Sequence, residues 1–491
     1  MPDRVLDLSV IGVYLITITI FGARFRKRQE SLTDYFLGGR TAPWWAISLS
    51  IVAAETSTLT IIGTPALAFG GDMGFLQVVL GYLVARIVIS SLFLPAYFQG
   101  RMFTAYELIR RRFGERLRRL TAGTFLVTRS LAEGVRVFAI SLVVSVVLET
   151  GDLASIIIIT LLTLFYTFEG GMKAVIWTDV VQMVLYVSGA LLAFWMVLAQ
   201  VPGGWQEVVA LGSASDKFRI FDFHFAPDAD FFAQTYTFWA GLFGGCFLGM
   251  AIHGTDQLFV QRLLSARSQA ESRLALLSSW VVIAFQFTLF LVIGITLFAF
   301  HEVTGTAPPE PLDRLYPTFV WTQMPPVVAG IVVASILAAA MSNLSAALNS
   351  LASATVMDFY LPLSKRTDLT GADHVRISRW ATLGWGVVLL GVALLARSWG
   401  SVLEAGLAIA SVPLGALLGV FSLGVLTRRV SEPMAIGGMI AGLAVIAYVT
   451  LYTDVAWTWY TVIGATVTFA TAWFGSLLFS RDPSTGTASD Q

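Results

Sequence analysis

Residues 45–65 read WAISLSIVAAETSTLTIIGTP, a run long enough to cross a bilayer that carries Glu55 and six hydroxyl residues between Ser48 and Thr60. A carboxylate at mid-membrane depth costs at least ~2.5 kcal/mol on insertion scales, so Glu55 is expected to face a polar cavity rather than lipid. The hydroxyl residues alone also fit hydrogen bonds inside or between helices. Together with Glu55 they predict a helix break over residues 53–60, where unwound carbonyl groups can ligate a cation.

The whole chain has the composition of a polytopic membrane protein. Of its 491 residues, 56% are hydrophobic and 13% are charged, about half the charged share of a soluble domain. Apolar runs of spanning length predict an all-α integral membrane protein with about thirteen transmembrane helices. These runs are 5–23, 45–70, 75–98, 120–148, 153–170, 174–200, 233–260, 274–300, 325–355, 379–396, 401–425, 433–453 and 456–479.

The distribution of positive charge predicts the orientation of these spans. With the N-terminus outside, the cytoplasmic segments, among them 101–119 and 262–273, hold 23 of the 31 lysines and arginines, as the positive-inside rule requires. The first span has no basic region before it, so we expect it to be retained rather than cleaved as a signal peptide. The single cysteine, Cys246, excludes an internal disulfide and a thiolate metal cluster.

The fourth span carries three charged residues on one helical face. Arg129, Glu133 and Arg136 are spaced four and three residues apart, so they form a positive stripe within the membrane. Two interpretations fit this stripe equally well. One is a structural ion-pair cluster that also includes Glu55, and the other is an arginine that is available for a substrate carboxylate.

Later spans contain further polar groups. The four glycines between Gly244 and Gly254 weaken a helix and predict a second interrupted span with His253 facing a cavity, with close helix packing as the alternative. Residues 334–353 set serines and asparagines among alanines, a composition that favours helix packing but also offers oxygen ligands to an alkali cation. Asp179 is either a carboxylate at a helix start or a cation ligand.

Taken together, the motifs of this chain resemble those of the sodium/solute symporter family over nearly its whole length. The order and spacing of these motifs make the resemblance specific, although each motif alone is weak. They are FLGGRTAPWW (36–45), SLSIVAAETST (48–58), RRRFG (110–114), GGMKAVIWTDVVQ (170–182), TDQLFVQR (255–262), SNLSAALNS (342–350) and MDFY (357–360).

The resemblance implies the LeuT-type fold, which has two inverted five-helix repeats, here with one extra helix before them and two after. The first helix of each repeat is broken in this fold. The implied segments are the N-terminal helix with its loop, the first repeat, an extracellular loop, the second repeat, two C-terminal helices and a cytoplasmic tail. Their bounds are 1–44, 45–200, 201–232, 233–425, 426–480 and 481–491.

The resemblance also implies a sodium site. Its ligands would be the backbone carbonyls of Ala53, Thr56 and Ala339 and the side chains of Ser342 and Asn343. Family members often have a hydroxyl where Asn343 stands, and an amide oxygen can replace it.

A second sodium site of the family would use Asp179, Ser342 and Ser345. Its remaining serine is matched by Ala346 here, so this second site is expected to be incomplete.

The substrate pocket implied by the resemblance has six further residues, which are Glu55, Ser57, Thr60, Gln77, Gly249 and His253. Gly249 and Ile252 match positions where sugar-transporting members have an asparagine and a tyrosine, which argues against simple hexose transport. Arg129 or Arg136, together with Glu55, suits a solute that bears a carboxylate.

We therefore expect a sodium-coupled secondary active symporter, and not an enzyme, that imports a small polar solute by alternating access. The solute would be an amino acid, a sugar acid or a monocarboxylate. The expected partners are this solute and the bilayer of the cell membrane, with the C-terminus cytoplasmic and with neither nucleic acid nor an obligatory protein partner. One alternative is proton coupling through Glu55. A more distant alternative is a transporter-like sensor, for which we would expect a cytoplasmic signalling domain.

Overall fold

The computed structural model describes residues 4–25, 31–100, 102–148, 152–225, 229–310, 312–364, 370–396 and 402–479. Every regular element within these ranges is a helix, which confirms the all-α prediction for this part of the chain. Lipid offers no partner to backbone groups, so apolar runs that cross it fold as helices. The predicted cytoplasmic tail, 481–491, lies outside the described residues.

The first half of the described chain forms ten α-helices. They are α1 (Val5–Ala23), α2 (Leu32–Leu37), α3 (Trp44–Glu55), α4 (Thr58–Gly70), α5 (Leu76–Val88), α6 (Leu94–Tyr97), α7 (Tyr106–Arg112), α8 (Glu115–Leu148), α9 (Asp152–Leu198) and α10 (Gly204–Ala214). A π-helical turn joins α5 to α6, so that Leu76–Tyr97 is one span. Within α9 the chain leaves helical geometry at Gly171, whose φ of 56° favours glycine, and this position separates the predicted fifth and sixth spans.

The second half of the described chain forms eleven α-helices. They are α11 (Ala229–Ala233), α12 (Gly245–Thr255), α13 (Gln257–Leu264), α14 (Gln269–Thr304), α15 (Leu315–Gln323), α16 (Val328–Ala354), α17 (Leu361–Ser364), α18 (Gly371–Ala396), α19 (Val402–Leu426), α20 (Glu432–Tyr452) and α21 (Tyr460–Phe479).

Eight helical segments in the described ranges are long and apolar enough to cross a membrane. The bent pair of α3 and α4 provides a ninth, and Ala240–Thr255 and Pro413–Leu426 are shorter apolar helices. The chain is thus a multi-pass membrane protein, while the count of thirteen spans stays a prediction.

The predicted break in the opening stretch is present. Helix α3 ends at Glu55, and Thr56 and Ser57 adopt extended backbone conformations before α4 begins at Thr58. The two helices are bent by 64° relative to one another. Unwinding at this point is stabilised by Ser57, whose side chain accepts a hydrogen bond from the Thr60 amide and so caps α4.

A second break lies between α12 and α13, but its cause differs from the prediction. The extended residue is Asp256, and its carboxylate caps α13 by accepting from the Leu258 amide at 2.8 Å. The preceding glycines do not open the helix. They bring α12 against α5, since a Cβ on Gly245 would lie 2.4 Å from the Val78 carbonyl oxygen and one on Gly249 would lie 2.7 Å from the Ala85 Cβ. Close packing is therefore the role of these glycines.

Helix α16 lies at the centre of the helix bundle. It packs against α1, α3, α8 and α9, and 89% of its apolar segment is buried. Its alanines and serines permit this close approach. Polar residues on α16 therefore face other helices rather than lipid.

Candidate functional site

A small cleft of about 10 Å³, enough for about one water molecule, lies where the start of α4 meets α8 and α16. It brings together hydroxyls of the first helix break, charged residues of α8 and an amide of α16, three groups that the sequence indicated separately. The lining residues are Ser57, Thr58, Glu133, Arg136, Val137, Ile140, Ala340, Asn343 and Leu344.

The charged face of α8 forms a chain of ion pairs that leads from this cleft to the second helix break. One carboxylate oxygen of Glu133 contacts both Arg136 Nη1 and Arg129 Nη2, the latter at 2.7 Å. The other end of the Arg129 guanidinium lies 3.3 Å from Asp256 Oδ2. Two arginines and two carboxylates thus balance in charge within the membrane, as buried charges require.

The two arginines have different access to the cleft. The side chain of Arg136 lines the cleft and is 27% exposed, whereas that of Arg129 is 11% exposed and has a carboxylate at each end of its guanidinium. Arg129 therefore lies between two carboxylates, whereas Arg136 has one carboxylate partner and reaches the cleft. That one of these arginines binds a solute carboxylate stays a prediction.

Asn343 lies between the cleft and the first helix break. Its Nδ2 donates to the carbonyl oxygens of Ala54 at 3.0 Å and Thr56 at 3.3 Å. Its Oδ1 is buried and has no hydrogen-bond partner among the described residues. This amide oxygen lies next to the carbonyls of the helix break. Together these oxygens suit a hard cation.

The caps of the first break hold its backbone away from helical pairing. The Ser57 amide would reach the Ala53 carbonyl in a continuous helix, but it faces the Thr60 hydroxyl at 3.4 Å instead. The side chains of Ser57 and Thr60 are therefore engaged in capping. The Thr56 hydroxyl is engaged with the Gln286 side chain, at 2.9 Å and 2.7 Å from its two polar atoms, a partner on α14 that the sequence did not indicate.

Asp179 is fully buried between four helices. It accepts hydrogen bonds from Ser50 at 2.5 Å and Ser342 at 2.7 Å, and it pairs with Arg262 at 2.9 Å. Arg262 also donates to the Ser50 hydroxyl at 2.9 Å. The sequence had counted Arg262 among the cytoplasmic charges, but it is buried inside the protein because Asp179 compensates its charge.

The other residues of the two implied sodium sites lie on α16. Ala339 is buried one helical turn before Asn343. The Ser345 hydroxyl donates to the Ser342 carbonyl within its own helix at 2.9 Å. Ser342, Ser345 and Asp179 are thus near one another, with the Arg262 guanidinium as the cationic group in contact with Asp179.

Glu55 does not join the charged face of α8. Its carboxylate lies 2.6 Å from Arg86 Nη2 and 3.1 Å from His253 Nε2. Arg86 also donates to the Ser279 hydroxyl at 3.1 Å, so this cluster connects α3, α5, α12 and α14. The prediction that Glu55 shares the ion pairs of Arg129 and Arg136 is wrong for the described contacts, because Arg86 on the neighbouring α5 neutralises it. The sequence does contain a signal for this partner, since Arg86 is a charged residue inside the apolar run 75–98.

Gln77 and Gly249, two of the predicted pocket residues, make contacts that hold loops and helices together. Gln77 donates to the backbone carbonyls of Gly74 and Tyr236 and accepts from the Asp222 amide at 3.0 Å, which fixes the outer loop to α5. Gly249 packs on α5, and its carbonyl lies 3.2 Å from His253 Nδ1. Neither residue lines the cleft described above.

Sequence comparisons match this chain to sodium-coupled transporters. Residues 35–442 match the model of the sodium:solute symporter family. The sodium/sialic acid symporter NanT of Aliivibrio fischeri is 28% identical over 97% of this chain and 94% of its own length. The human sodium/iodide cotransporter is 30% identical over 91% of this chain and 69% of its own, and the bovine sodium-coupled monocarboxylate transporter 2 is 29% identical over 88% and 70%.

Solved structures of cation-coupled transporters share the fold of this chain. A Na+-coupled sialic acid symporter in a substrate-bound, outward-open state superposes with a TM-score of 0.87 at 26% identity, covering 97% of this chain and 98% of that one. A nucleobase-cation-symport-1 family transporter in a closed conformation superposes with a TM-score of 0.53 at 13% identity, covering 92% and 96%, a likeness of fold alone.

Proposed function

From the premise that the chain belongs to the sodium:solute symporter family and is a sodium-coupled transporter rather than an enzyme, we propose that it imports a small carboxylate-bearing solute. The observation that carries this proposal is Arg136, an arginine that lines the same cleft as Asn343. Arginine is the side chain best suited to a carboxylate, since its planar donors match both carboxylate oxygens.

We propose that sodium, the coupling ion, binds beside Asn343. The unpaired Oδ1 of Asn343 and the carbonyls of Ala53 and Thr56 at the helix break would supply oxygen ligands, with Ala339 and Ser342 completing the set. Because Asp179 is already paired with Arg262, a second sodium at Asp179 and Ser345 would have to displace the guanidinium. We therefore favour one sodium per solute.

Electrostatics supports coupling between the two ligands. Sodium adds one positive charge to the cleft region and the solute carboxylate adds one negative charge, so the pair leaves the local net charge unchanged. Each ligand then raises the affinity for the other, and this coupling is reciprocal, typically 1–3 kcal/mol. The first helix break, which lines the cleft, and the second, which the ion pairs of α8 connect to it, would be the elements that rearrange in alternating access.

Some of the relatives support an acid as the solute. Sialic acid and monocarboxylate symporters are among them, and Arg136 would give this chain a cationic partner for an acid. We propose a sugar acid or a monocarboxylate, with the N-terminus of the transporter outside and the C-terminus in the cytoplasm of the cell. Proton coupling through Glu55 is disfavoured, since Arg86 lies 2.6 Å from its carboxylate and stabilises the charged form.

Uptake into proteoliposomes tests this function. The purified protein would be given radiolabelled sialic acid, pyruvate, proline or glucose under an inward sodium gradient, an inward potassium gradient or a pH gradient alone. We expect one of the acids to accumulate with sodium only, and its carboxamide to compete poorly. Accumulation driven by the pH gradient without sodium, or glucose uptake equal to that of the acids, would contradict the proposal.

A further inference from the structure

The ion pairs of α8 connect the cleft to the second helix break. Arg136 lines the cleft, but Arg129 and Asp256 do not. Asp256 is the extended residue between α12 and α13, and Arg129 is its link to α8 at 3.3 Å. This link joins a broken helix of the second half of the chain to a continuous helix of the first half.

The link depends on how one carboxylate is shared. A single oxygen of Glu133 contacts both Arg136 and Arg129. The negative charge of Glu133 is therefore shared between the two guanidinium groups. Arg129 in turn divides its guanidinium between Glu133 and Asp256. Glu133 and Asp256 are buried, Arg129 is 11% exposed and Arg136 is 27% exposed. Charges at such short range interact strongly where water is scarce.

A solute carboxylate on Arg136 changes this balance. Three carboxylates then share two guanidinium groups, and Glu133, no longer neutralised by Arg136, acts with its full charge on Arg129 and repels Asp256. The contact of Asp256, at 3.3 Å, is longer than the 2.7 Å contact of Glu133 with Arg129. The Arg129–Asp256 contact is therefore the one that weakens.

We propose that Arg136, Glu133, Arg129 and Asp256 form a charge relay, in which binding of the solute carboxylate loosens the contact between α8 and the break at Asp256 and so permits α13 to move. This inference rests on the proposed function, since it requires the carboxylate to bind at Arg136. Asp256 and Arg129 are positioning residues in this relay.

The decisive variant is Asp256→Asn, which removes the charge but keeps a good helix cap, because asparagine caps helices as well as aspartate does. The control is Asp358→Asn, which removes a carboxylate from another buried ion pair, with Arg118 at 2.8 Å, outside the relay. The double variant Asp256→Asn/Arg129→Gln removes both partners of the link, and it serves if the single variant does not fold.

Two measurements on full-length protein in saturating sodium test the relay. The first is the Kd of pyruvate and of sialic acid, each beside its carboxamide, by calorimetry. The second is the labelling rate of a reporter cysteine, Ser353→Cys in a Cys246→Ser background, by a maleimide. Ser353 is buried on α16 and contacts Gln257 of α13 at 3.2 Å, so its exposure reports movement of α13.

In the wild-type relay we expect the acid, but not its carboxamide, to raise the labelling rate. In Asp256→Asn the acid should bind about fivefold more tightly or better, the lower end of usual binding couplings, because the link no longer opposes it. The carboxamide Kd should not change, and labelling should be fast before any acid is added.

Three results would overturn the relay. An Asp256→Asn variant with wild-type Kd values and a wild-type response of the labelling rate overturns the relay alone. The same effects in Asp358→Asn overturn it in favour of a general loss of buried ion pairs. Equal binding of acid and carboxamide to the unmutated protein overturns the proposed function and the relay together.

Discussion

Arg129 and Arg136 lie on the same face of α8, yet their guanidinium groups have different surroundings. Arg136 has one carboxylate partner and lines the cleft, while Arg129 has two carboxylate partners. This difference could not be read from their spacing, because both positions repeat with the helical period. On this difference we base the proposal that Arg136 binds the solute carboxylate and that Arg129 has a structural role.

Arg136→Gln should weaken binding of the transported acid about 10- to 100-fold, since a hydrogen bond to a charged group contributes ~1.5–3 kcal/mol. Arg129→Gln is the matched variant on the same helix face. It should lower Tm, because Glu133 and Asp256 lose their shared cation, but keep the preference for the acid over its carboxamide. Calorimetry and thermal melts measure both effects. If both variants lose the preference equally, Arg136 has no special role.

Asn343→Ala should raise the sodium concentration for half-maximal binding about tenfold, equivalent to ~1.4 kcal/mol, since the unpaired Oδ1 is removed. The control is Asn349→Ala, a second buried asparagine on α16 that does not line the cleft. Sodium-dependent thermal shifts give both values. An equal sodium requirement in the two variants would remove Asn343 from the sodium site.

At the scale of the helix, the break between α3 and α4 is held by reciprocal capping. The Thr60 hydroxyl accepts a hydrogen bond from the Ser57 amide, and the Ser57 hydroxyl accepts one from the Thr60 amide. Without these bonds the Ser57 amide would be drawn back to the Ala53 carbonyl, which closes the α-helical pattern. The cap therefore keeps the Ala53 carbonyl free of this helical hydrogen bond, as the proposed sodium site requires.

Thr60→Val keeps the shape of the side chain but removes the hydroxyl. It should cost about 0.5–2 kcal/mol of stability, the usual effect of a lost cap, and it should also raise the sodium requirement. Thr64→Val, one turn further along α4 at a buried position, is the control that should leave the sodium requirement unchanged. Sodium titrations by thermal shift distinguish the two. A loss of stability without a change in sodium binding would limit the cap to a structural role.

At the scale of the whole molecule, two buried ion pairs tie distant helices together. Arg86 and Glu55 join α5 to α3, and Arg262 and Asp179 join α13 to α9, with Ser50 of α3 and Ser342 of α16 completing the second cluster. These clusters hold helices in contact that are remote in sequence. Removal of one partner leaves an uncompensated charge, whereas removal of both does not.

Asp179→Asn should therefore destabilise the protein by ~3–5 kcal/mol, the usual effect of breaking a buried pair. The double variant Asp179→Asn/Arg262→Gln should recover most of this loss, as measured by thermal melts in detergent. If Asp179 instead serves a sodium ion, the double variant would stay impaired in sodium binding. A double variant no more stable than the single one would contradict the ion-pair interpretation.

The sequence by itself determined that this chain is a helical membrane protein and where the first helix breaks. A bilayer leaves backbone groups no partner outside their own helix, so apolar runs report helices, and the hydroxyl residues next to Glu55 report unwinding. The motifs were also sufficient to recognise the family that the family model and the relatives confirm. These properties depend on residues that are close together in the chain, so they can be predicted from the order of residues.

Only the tertiary structure decided which charged groups meet. Glu55 and Arg86 are 31 residues apart, Asp179 and Arg262 are 83 apart, and Arg129 and Asp256 are 127 apart. The sequence showed each buried charge but not its partner, and it attributed the second helix break to glycines rather than to Asp256. Charge interactions depend on distance in space, and that distance is set by the packing of helices that are remote in sequence.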